Sequence, residues 1–569
     1  MATGFVWTVA GLLLLSGCTQ AHYRRSADKE VYGIIGQYEA KIFGATNSFT
    51  IDTPYSARKP EAIPAAELIE DRLRTGQRML TITQSIALAV STSRRYQSAK
   101  ETLYLTALSL TGSRYAFTPQ FFANSKATAF RESNGDQFGS INSQAGVSQF
   151  LKTGGQLSAK LANDILRYYT GDPRKSLISI LSVNLSQPLL RGFGRDNPLV
   201  ENLTQSQRNV VYAVRNYSFF QDQFALEILN DHFALLGQKD IMRNRYTNYL
   251  GRVQSTKRLE ARASDRERLA DVDQARQAEL TAKNNYVNSV ALYRNQLDQF
   301  KIKLGLPVGE KLSLDDRELQ ELEQTGLVSA RLDPVTAYRV ATAKQLQILN
   351  AIDVFEDKKR KVRVAANQLQ ADLNITGGAD VSSQAPTDYS RFDPNQVRAN
   401  VGLQLNLPID RLPERNLYRS SLITFEAELR TLTLTLDNLK ESIEQGLRTL
   451  EQRRQNYEIQ KNALELANRR VDSTTLLLEA GRAEVRDLVD AQDSQIEAEN
   501  AVTASLVDYQ QVRLLLLLDI GALDTEVPKF WLKDNLVAYL PSPAPASGKP
   551  QPPDSGQQSI LPPDQYFSE

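Results

Sequence analysis

The sequence predicts a mainly α chain with a smaller β component, in which one helix-strand-strand-helix-helix unit occurs twice and the strands belong to a barrel assembled from several subunits. Three observations carry this reading: an internal repeat, a few short runs of alternating polarity, and two proline-free helical stretches far longer than a globular domain holds. At 569 residues the chain exceeds what one core usually organises, so several domains or one extended repeated architecture is required. The repeat selects the second.

Leu185-Ser186-Gln187-Pro188-Leu189-Leu190-Arg191, followed by Arg195-Asp196-Asn197, returns as Leu405-Asn406-Leu407-Pro408-Ile409-Asp410-Arg411, followed by Glu414-Arg415-Asn416. Farther on, Asp271-Val272-Asp273-Gln274-Ala275 matches Asp487-Leu488-Val489-Asp490-Ala491 at an offset of 216, and the same offset takes Gly305 onto Gly521. Each half therefore runs helix, strand region, proline-marked turn, very long helix, tight break, long helix and closing glycine. The boundaries are a first repeat over 76–305 with strands about 113–190, a linker over 306–330, and a second repeat over 331–521 with strands about 371–409.

The strands rest on alternation. Ile180, Ser182, Asn184 and Ser186 interleave with Leu181, Val183 and Leu185, and Val401, Leu403, Leu405 and Leu407 interleave with Gly402, Gln404 and Asn406. Four to six such runs are too few for a soluble sandwich, and a barrel shared between subunits resolves the shortage. Pro188 and Pro408 mark the strand-to-helix turns, since proline donates nothing to a ladder. Asn197-Pro198 and Asn416 then supply helix N-caps. Arg131 to Gly146 and Ser382 to Gln396 read as polar outward loops. The stretches flanking Thr153-Gly154 read as an additional hairpin, either inside the barrel or projecting above it.

After Asn197-Pro198 to about Arg262, and from Asn416 to about Ala480, no proline intervenes, which is roughly 100 Å of helix each. Heptads run through them: Tyr457, Leu464, Val471, Leu478 and Val485, with Val502, Tyr509 and Leu516 on the return, and Tyr286, Tyr293 and Phe300 beside Val290, Leu297 and Leu304 in the first half. Two seams imply two neighbours, as in a closed ring of helices; an ordinary antiparallel coiled coil is the simpler alternative.

The amino terminus reads MATGFVWTVAGLLLLSGC, an apolar run of signal-peptide length, so residues 1–17 are expected to be a lipoprotein signal peptide. Leu15-Ser16-Gly17-Cys18 resembles a bacterial lipobox, which makes Cys18 the lipidation site, and Thr19 resembles the residue that sorts lipoproteins to the outer membrane. No Lys or Arg precedes the apolar run. Residues 18–75 read as an irregular periplasmic arm and 522–569 as a proline-rich tail. The mature chain holds no run of 18 apolar residues, so a membrane crossing requires a closed barrel.

Taken together, the duplicated order of helix, strands, Gln-Pro-Leu-Leu-like turn and long hairpin over about residues 76–521 resembles the TolC family of outer membrane efflux proteins. The resemblance implies a homotrimer whose strands share one outer-membrane β-barrel, among outer membrane lipids, continued by a long α-helical periplasmic barrel. It further implies docking through a periplasmic adaptor onto an inner-membrane pump, and an exit duct closed at its periplasmic tip. The family's gating aspartates map onto Asp487 and Asp490, three apart on one helix face, with Asp271 at the equivalent tip of the first half. A threefold axis would make the pair a ring of six that attracts cations and opposes anions. Their simpler role is to favour a helix N-terminus. Where relatives carry a basic latch this chain has Ala483, between Arg482 and Arg486.

Other classes find little support. Lys+Arg 67 against Asp+Glu 66 leaves a formal charge of +1, too small a field to gather nucleic acid. Two His, three Met and one Cys disfavour a metal site or a dedicated soft-ion exporter. No cofactor loop or nucleophile elbow is present, so an enzyme is not expected. His232, mid-helix beside Phe233, reads as a solvated or interfacial residue rather than a base. The competing structural class is a coiled-coil lipoprotein that tethers the envelope, which would have no use for alternating strands.

Overall fold

The computed structural model describes residues 19–533 apart from 132, 134, 169–174, 263–268, 329–331, 384–390, 408 and 481. Cys18, the signal segment, Pro408 and the tail beyond 533 therefore lie outside the described residues. The N-terminal segment is not irregular: it begins with helix α1 (Gln20–Phe43). Val31, Ile34 and Ile35 form its buried stripe. Gly33 and Gly36 fall between and after these residues in the sequence, and their low helix propensity masks the helix there. A short helix α2 (Ala65–Leu73) and strand β1 (Gln77–Leu80) follow.

The opening helix of the first half is two helices, α3 (Ile82–Thr92) and α4 (Arg94–Tyr115), separated by Ser93 in extended backbone. Thr81 caps α3 reciprocally: its hydroxyl accepts from the Gln84 amide at 3.2 Å while the Gln84 side chain accepts from the Thr81 amide at 3.1 Å. Four antiparallel strands come next: β2 (Gln120–Arg131), β3 (Gln137–Phe150), β4 (Gln156–Tyr168) and β5 (Lys175–Pro188). The stretch expected as a loop from Arg131 to Gly146 is thus mostly strand. Its Ser, Asn, Gln and Gly residues look like a connector, but β3 pairs along its length with both β2 and β4, and ladder bonds hold it where side chains would not. The additional hairpin is real and turns at Thr153-Gly154, where Gly154 has φ +91° and the Leu151 amide donates to Gly155 O at 2.7 Å.

Pro188 ends β5 as expected, and Asn197 caps the next helix, its Oδ1 accepting from the Leu199 amide at 2.8 Å. That helix, α5 (Pro198–Arg262), is 65 residues long and returns as α6 (Leu269–Leu304). The segment expected as a linker contains strand β6 (Lys311–Leu314), which pairs in parallel with β1, and helix α7 (Arg317–Thr325), held by buried Leu312, Leu314, Leu319 and Leu322.

The second half repeats the plan residue for residue in its opening. Helices α8 (Pro334–Lys344) and α9 (Leu346–Asn367) have the same 11 and 22 residues as α3 and α4, separated by Gln345. Strands β7 (Asp372–Ser382) and β8 (Arg398–Asn406) complete a six-stranded sheet in the order β2-β3-β4-β5-β7-β8. Helix α10 (Leu412–Glu479) then starts four residues before Asn416, because Pro413 is pre-set for the first turn and Asp410 Oδ1 accepts from the Leu412 amide at 3.0 Å. It returns as α11 (Val485–Asp519), whose Val485, Tyr509 and Leu516 are buried as the heptad requires. Residues after 521 are not yet tail. Phe530 and Trp531 are buried, and Arg513, 1% exposed, donates to Trp531 O at 2.5 Å and Lys533 O at 2.9 Å.

The two closing glycines dock on the two helix breaks. Gly305 (φ +81°) lies so close to Thr92 that a β-carbon would sit 2.2 Å from its carbonyl oxygen, and one on Gly521 (φ +68°) would sit 2.9 Å from the Gln345 amide. Each half is thereby locked at the same point. Gly305→Ala is expected to destabilise the chain by about 1–3 kcal/mol through strained backbone and a clash with main chain, whereas Gly33→Ala on the open face of α1 should be neutral or stabilising by up to ~1 kcal/mol. Thermal unfolding of the two variants side by side checks this.

His232 is fully buried where α3, α5 and α7 meet, the interfacial and not the solvated alternative. Its Nδ1 lies 3.0 Å from Ser85 Oγ, and burial lowers its pKa to about 4. Glu318 on α7 accepts from the Ile82 amide at 2.7 Å, and burial raises its pKa to about 7 from 4.5. A folded-state pKa above the unfolded value means that stability falls as pH rises from about 4.5 to 7. Glu318→Gln, which keeps an acceptor for Ile82, should melt higher than the parent at pH 8 and lose that advantage at pH 5.

Candidate functional site

The six-stranded sheet has one mainly apolar and one mainly polar face. Registered pairing brings Phe121, Val147, Leu161, Leu181, Val381 and Leu403 onto one face and Lys126, Asn142, Lys160, Ser182, Asp380 and Gln404 onto the other. From Ser179 to Gln187 on β5, and at the matching rows of the other five strands, the apolar face carries no Asp, Glu, Lys or Arg. Eight residue steps are about 26 Å of strand, near the height of the apolar band of a membrane barrel. The side chains of this face stay exposed on inner strands, with Leu181 at 42%, and more so on the edge, with Val401 at 82%. The outer edges of β2 and β8 pair with no strand among the described residues.

Helix α1 runs antiparallel to α4 and starts near the base of this sheet. Tyr104 donates to Asp28 at 2.8 Å, while Gln97 donates to Ile51 beyond the end of α1 at 2.7 Å. Burial, then Asp28, pushes the Tyr104 phenol above its usual pKa and keeps it a donor. Thr19 is nine residues before Asp28 and Tyr115 eleven after Tyr104, so both lie roughly 15 Å along the helices from this bond. The start of α1 is thus level with the last turn of α4, five residues before β2.

At the opposite end, α10 and α11 pack beside α5 and α6. A small cluster of Leu259, Ala275 and Val485, with Val272, Leu478 and Val489 around it, joins the two hairpins near their tips. Arg252 on α5 reinforces the join. It is 4% exposed and donates to Val489 O at 3.0 Å and Asp493 at 2.7 Å. Sequence offered no signal for it, because one arginine in a charged helix looks like solvated surface.

The structure places Asp487 and Asp490 on the first turns of α11, both exposed, and Asp271 half-exposed on the first turn of α6. Asp487 also acts locally, since its carboxylate accepts from the Glu484 amide at 3.1 Å and closes a capping box with Glu484. Asp490 lies 3.9 Å from Arg486, a loose surface pair. The carboxylates share one end of the helical layer, and Cys18 and Pro408 fall outside the described residues. No group of carboxylates, His and Cys capable of holding a metal occurs among the described residues. Apolar rows remain uncovered on the long helices, including Ile459 at 58%, Leu466 at 61% and Leu476 at 67% on α10.

No protein-family model matches the chain, and no curated protein matches it by sequence. Solved structures do resemble it. The outer membrane protein VceC of Vibrio cholerae superposes with a TM-score of 0.57 at 14% identity, over 77% of this chain and 96% of its own. The open state of the Neisseria gonorrhoeae MtrE outer membrane channel gives 0.58 at 12% identity, over 77% and 88%. The Campylobacter jejuni CmeC outer membrane channel gives 0.55 at 12% identity, over 77% and 85%. A duplicated layer of very long helices carrying an amphipathic sheet at one end is the fold this chain has in common with these outer-membrane proteins.

Proposed function

We propose that the chain is a TolC-family outer-membrane lipoprotein that forms a homotrimeric channel-tunnel, the passive exit duct of a tripartite efflux or type I secretion system. One observation carries this reading: a sheet with an uncharged, uncovered apolar face and a polar opposite face continues directly into helices of about 100 Å. Such a sheet fits a bilayer only as part of a closed barrel, with its polar face around an aqueous lumen. An envelope tether needs the helices but not the sheet.

The remaining parts follow from the same arrangement. Lipids on Cys18, one residue before Thr19, would enter the membrane at the level where the strands begin, so that anchor and barrel act at one depth. The uncovered rows on α10 suit lateral contact with helices of neighbouring copies. A periplasmic adaptor and an inner-membrane pump deliver the substrate, and small molecules are favoured over proteins. Asp487, Asp490 and Asp271 form the periplasmic gate, where carboxylates repeated about the axis attract cations and resist anions. The reaction is transport without catalysis.

Single-channel conductance in planar bilayers tests the reading. The native chain should give small cation-selective currents, and Asp487→Ala/Asp490→Ala should enlarge them or remove the selectivity. Because Asp487 also caps α11, Asp490→Ala alone separates gating from loss of the cap. A folded, membrane-inserted oligomer without conductance in any form would favour the tether. Independently, Leu161→Arg on the apolar face should cost about 2–4 kcal/mol and reduce membrane insertion, while Asn142→Arg on the polar face should insert normally; flotation of the two variants with liposomes reads the difference.

A further inference from the structure

The second half of the chain contributes two strands to the sheet and the first contributes four, so the repeat is unequal in the membrane region. The extra hairpin does not project above the sheet. β3 and β4 are interior strands, paired on both sides over nearly their whole length, and among the described residues the free edges are β2 and β8. Six strands alternate in direction, so β2 and β8 run antiparallel to each other, and β8 of one copy can pair with β2 of an identical neighbour in a head-to-tail ring.

We infer that β2 and β8 are the interface between copies of this chain, and that three copies close an 18-stranded barrel. The number of copies rests on the proposed trimer; the pairing of edges does not. Two features of the edges support a second copy as the occupant. The most exposed apolar residues of the sheet lie on them, Phe121 at 82%, Val401 at 82% and Leu403 at 71%, where inner-strand counterparts such as Leu161 and Leu181 are near 40%. The edges are also complementary in size: β2 offers Ala123, Ser125 and Ala127 on the apolar face, and β8 offers Val401, Leu403 and Leu405.

The register is nearly determined. β8 has nine residues and β2 twelve. All nine find a partner, with apolar facing apolar, only when Asn124 lies opposite Gly402 or opposite Gln404. Any odd shift turns the polar row of one strand toward lipid. With strands about 4.8 Å apart and tilted about 40°, 18 strands enclose a backbone cylinder of about 36 Å diameter, against about 24 Å for the 12 strands that an equal repeat would provide. Barrels of 16–18 strands leave an aqueous channel, so the third and fourth strands of the first half widen the exit.

Disulfide trapping in native membranes tests this, since Cys18 is the only natural cysteine. The full chain carrying Asn124→Cys with Gly402→Cys, or with Gln404→Cys, is oxidised and run without reductant. One of the two pairs should shift the 63.6 kDa monomer to two and three times that mass and no further. Asn124→Cys with Val401→Cys, on opposite faces, should not shift. Asn124→Cys with Gln144→Cys, paired within one sheet, should link inside the chain and reports correct folding. If that internal link forms and the oligomer conducts, yet neither intersubunit pair links, the edge pairing is overturned while the channel reading stands. A ladder that ends at two or runs beyond three overturns the 18 strands. Absence of both oligomer and conductance in the internally linked protein overturns the channel reading, and this inference with it.

Discussion

Backbone hydrogen bonding is the constraint from which the architecture follows. A peptide group in a bilayer without a partner costs several kcal/mol, so the strands of a membrane-facing sheet must be paired on both sides. No helix among the described residues is long and apolar enough to span a bilayer. Among the described residues the sheet has an uncovered apolar face, six strands and two open edges. In a bilayer, a single copy of such a sheet would leave both edges unpaired. Apolar rows on the long helices are likewise left exposed, including Ile459, Leu466 and Leu476.

The helical layer is built to carry that sheet at a distance. Helices α5 and α10 run its full length, and shorter helices complete the layer in two stages: α4 and α9 beside the sheet, α6 and α11 toward the tip. The stages meet at the breaks at Ser93 and Gln345, where Gly305 and Gly521 bring the returning helices against main chain with no side chain between. Around this level sit the main core, the parallel pair of β1 and β6, and the anchored end at Phe530 and Trp531. Rigid middle and thin ends are a direct result. The tip has only a small apolar cluster and the buried Arg252, so its helices are held by few contacts. A region held in this way opens at lower cost than the core.

The tip aspartates show how one residue serves structure and electrostatics at once. Asp487 closes the capping box of α11 whatever else it does, and a carboxylate at a helix N-terminus is stabilised by the macrodipole. A capped, ordered carboxylate is also a fixed charge near the end of the layer. Asp490 has a looser neighbour, Arg486 at 3.9 Å. The buried pair of His232 and Glu318 belongs to the rigid middle instead, where burial moves their pKa values in opposite directions and ties α3 and α7 to α5.

Much of the plan was legible in the residues alone. The repeated turn around Pro188, the proline-free run that became α5, the heptads and the alternating strands β5 and β8 all depend on local periodicity, which side-chain chemistry writes directly into the sequence. What local chemistry could not reveal was decided by pairing and burial. β3 is strand because two neighbours pair it, although its residues resemble a loop. Helix α1 forms because Val31, Ile34 and Ile35 find a surface, in spite of two glycines. Residues 306–330 and 522–533 pack for the same reason. Arg252 looks like a solvated polar residue, and His232 like a solvated or an interfacial one, until distant helices enclose them. Composition and periodicity thus determined the duplicated helix and strand plan, whereas only the tertiary structure decided how many strands the sheet has and which edges it leaves open, because ladder partners are chosen between segments hundreds of residues apart.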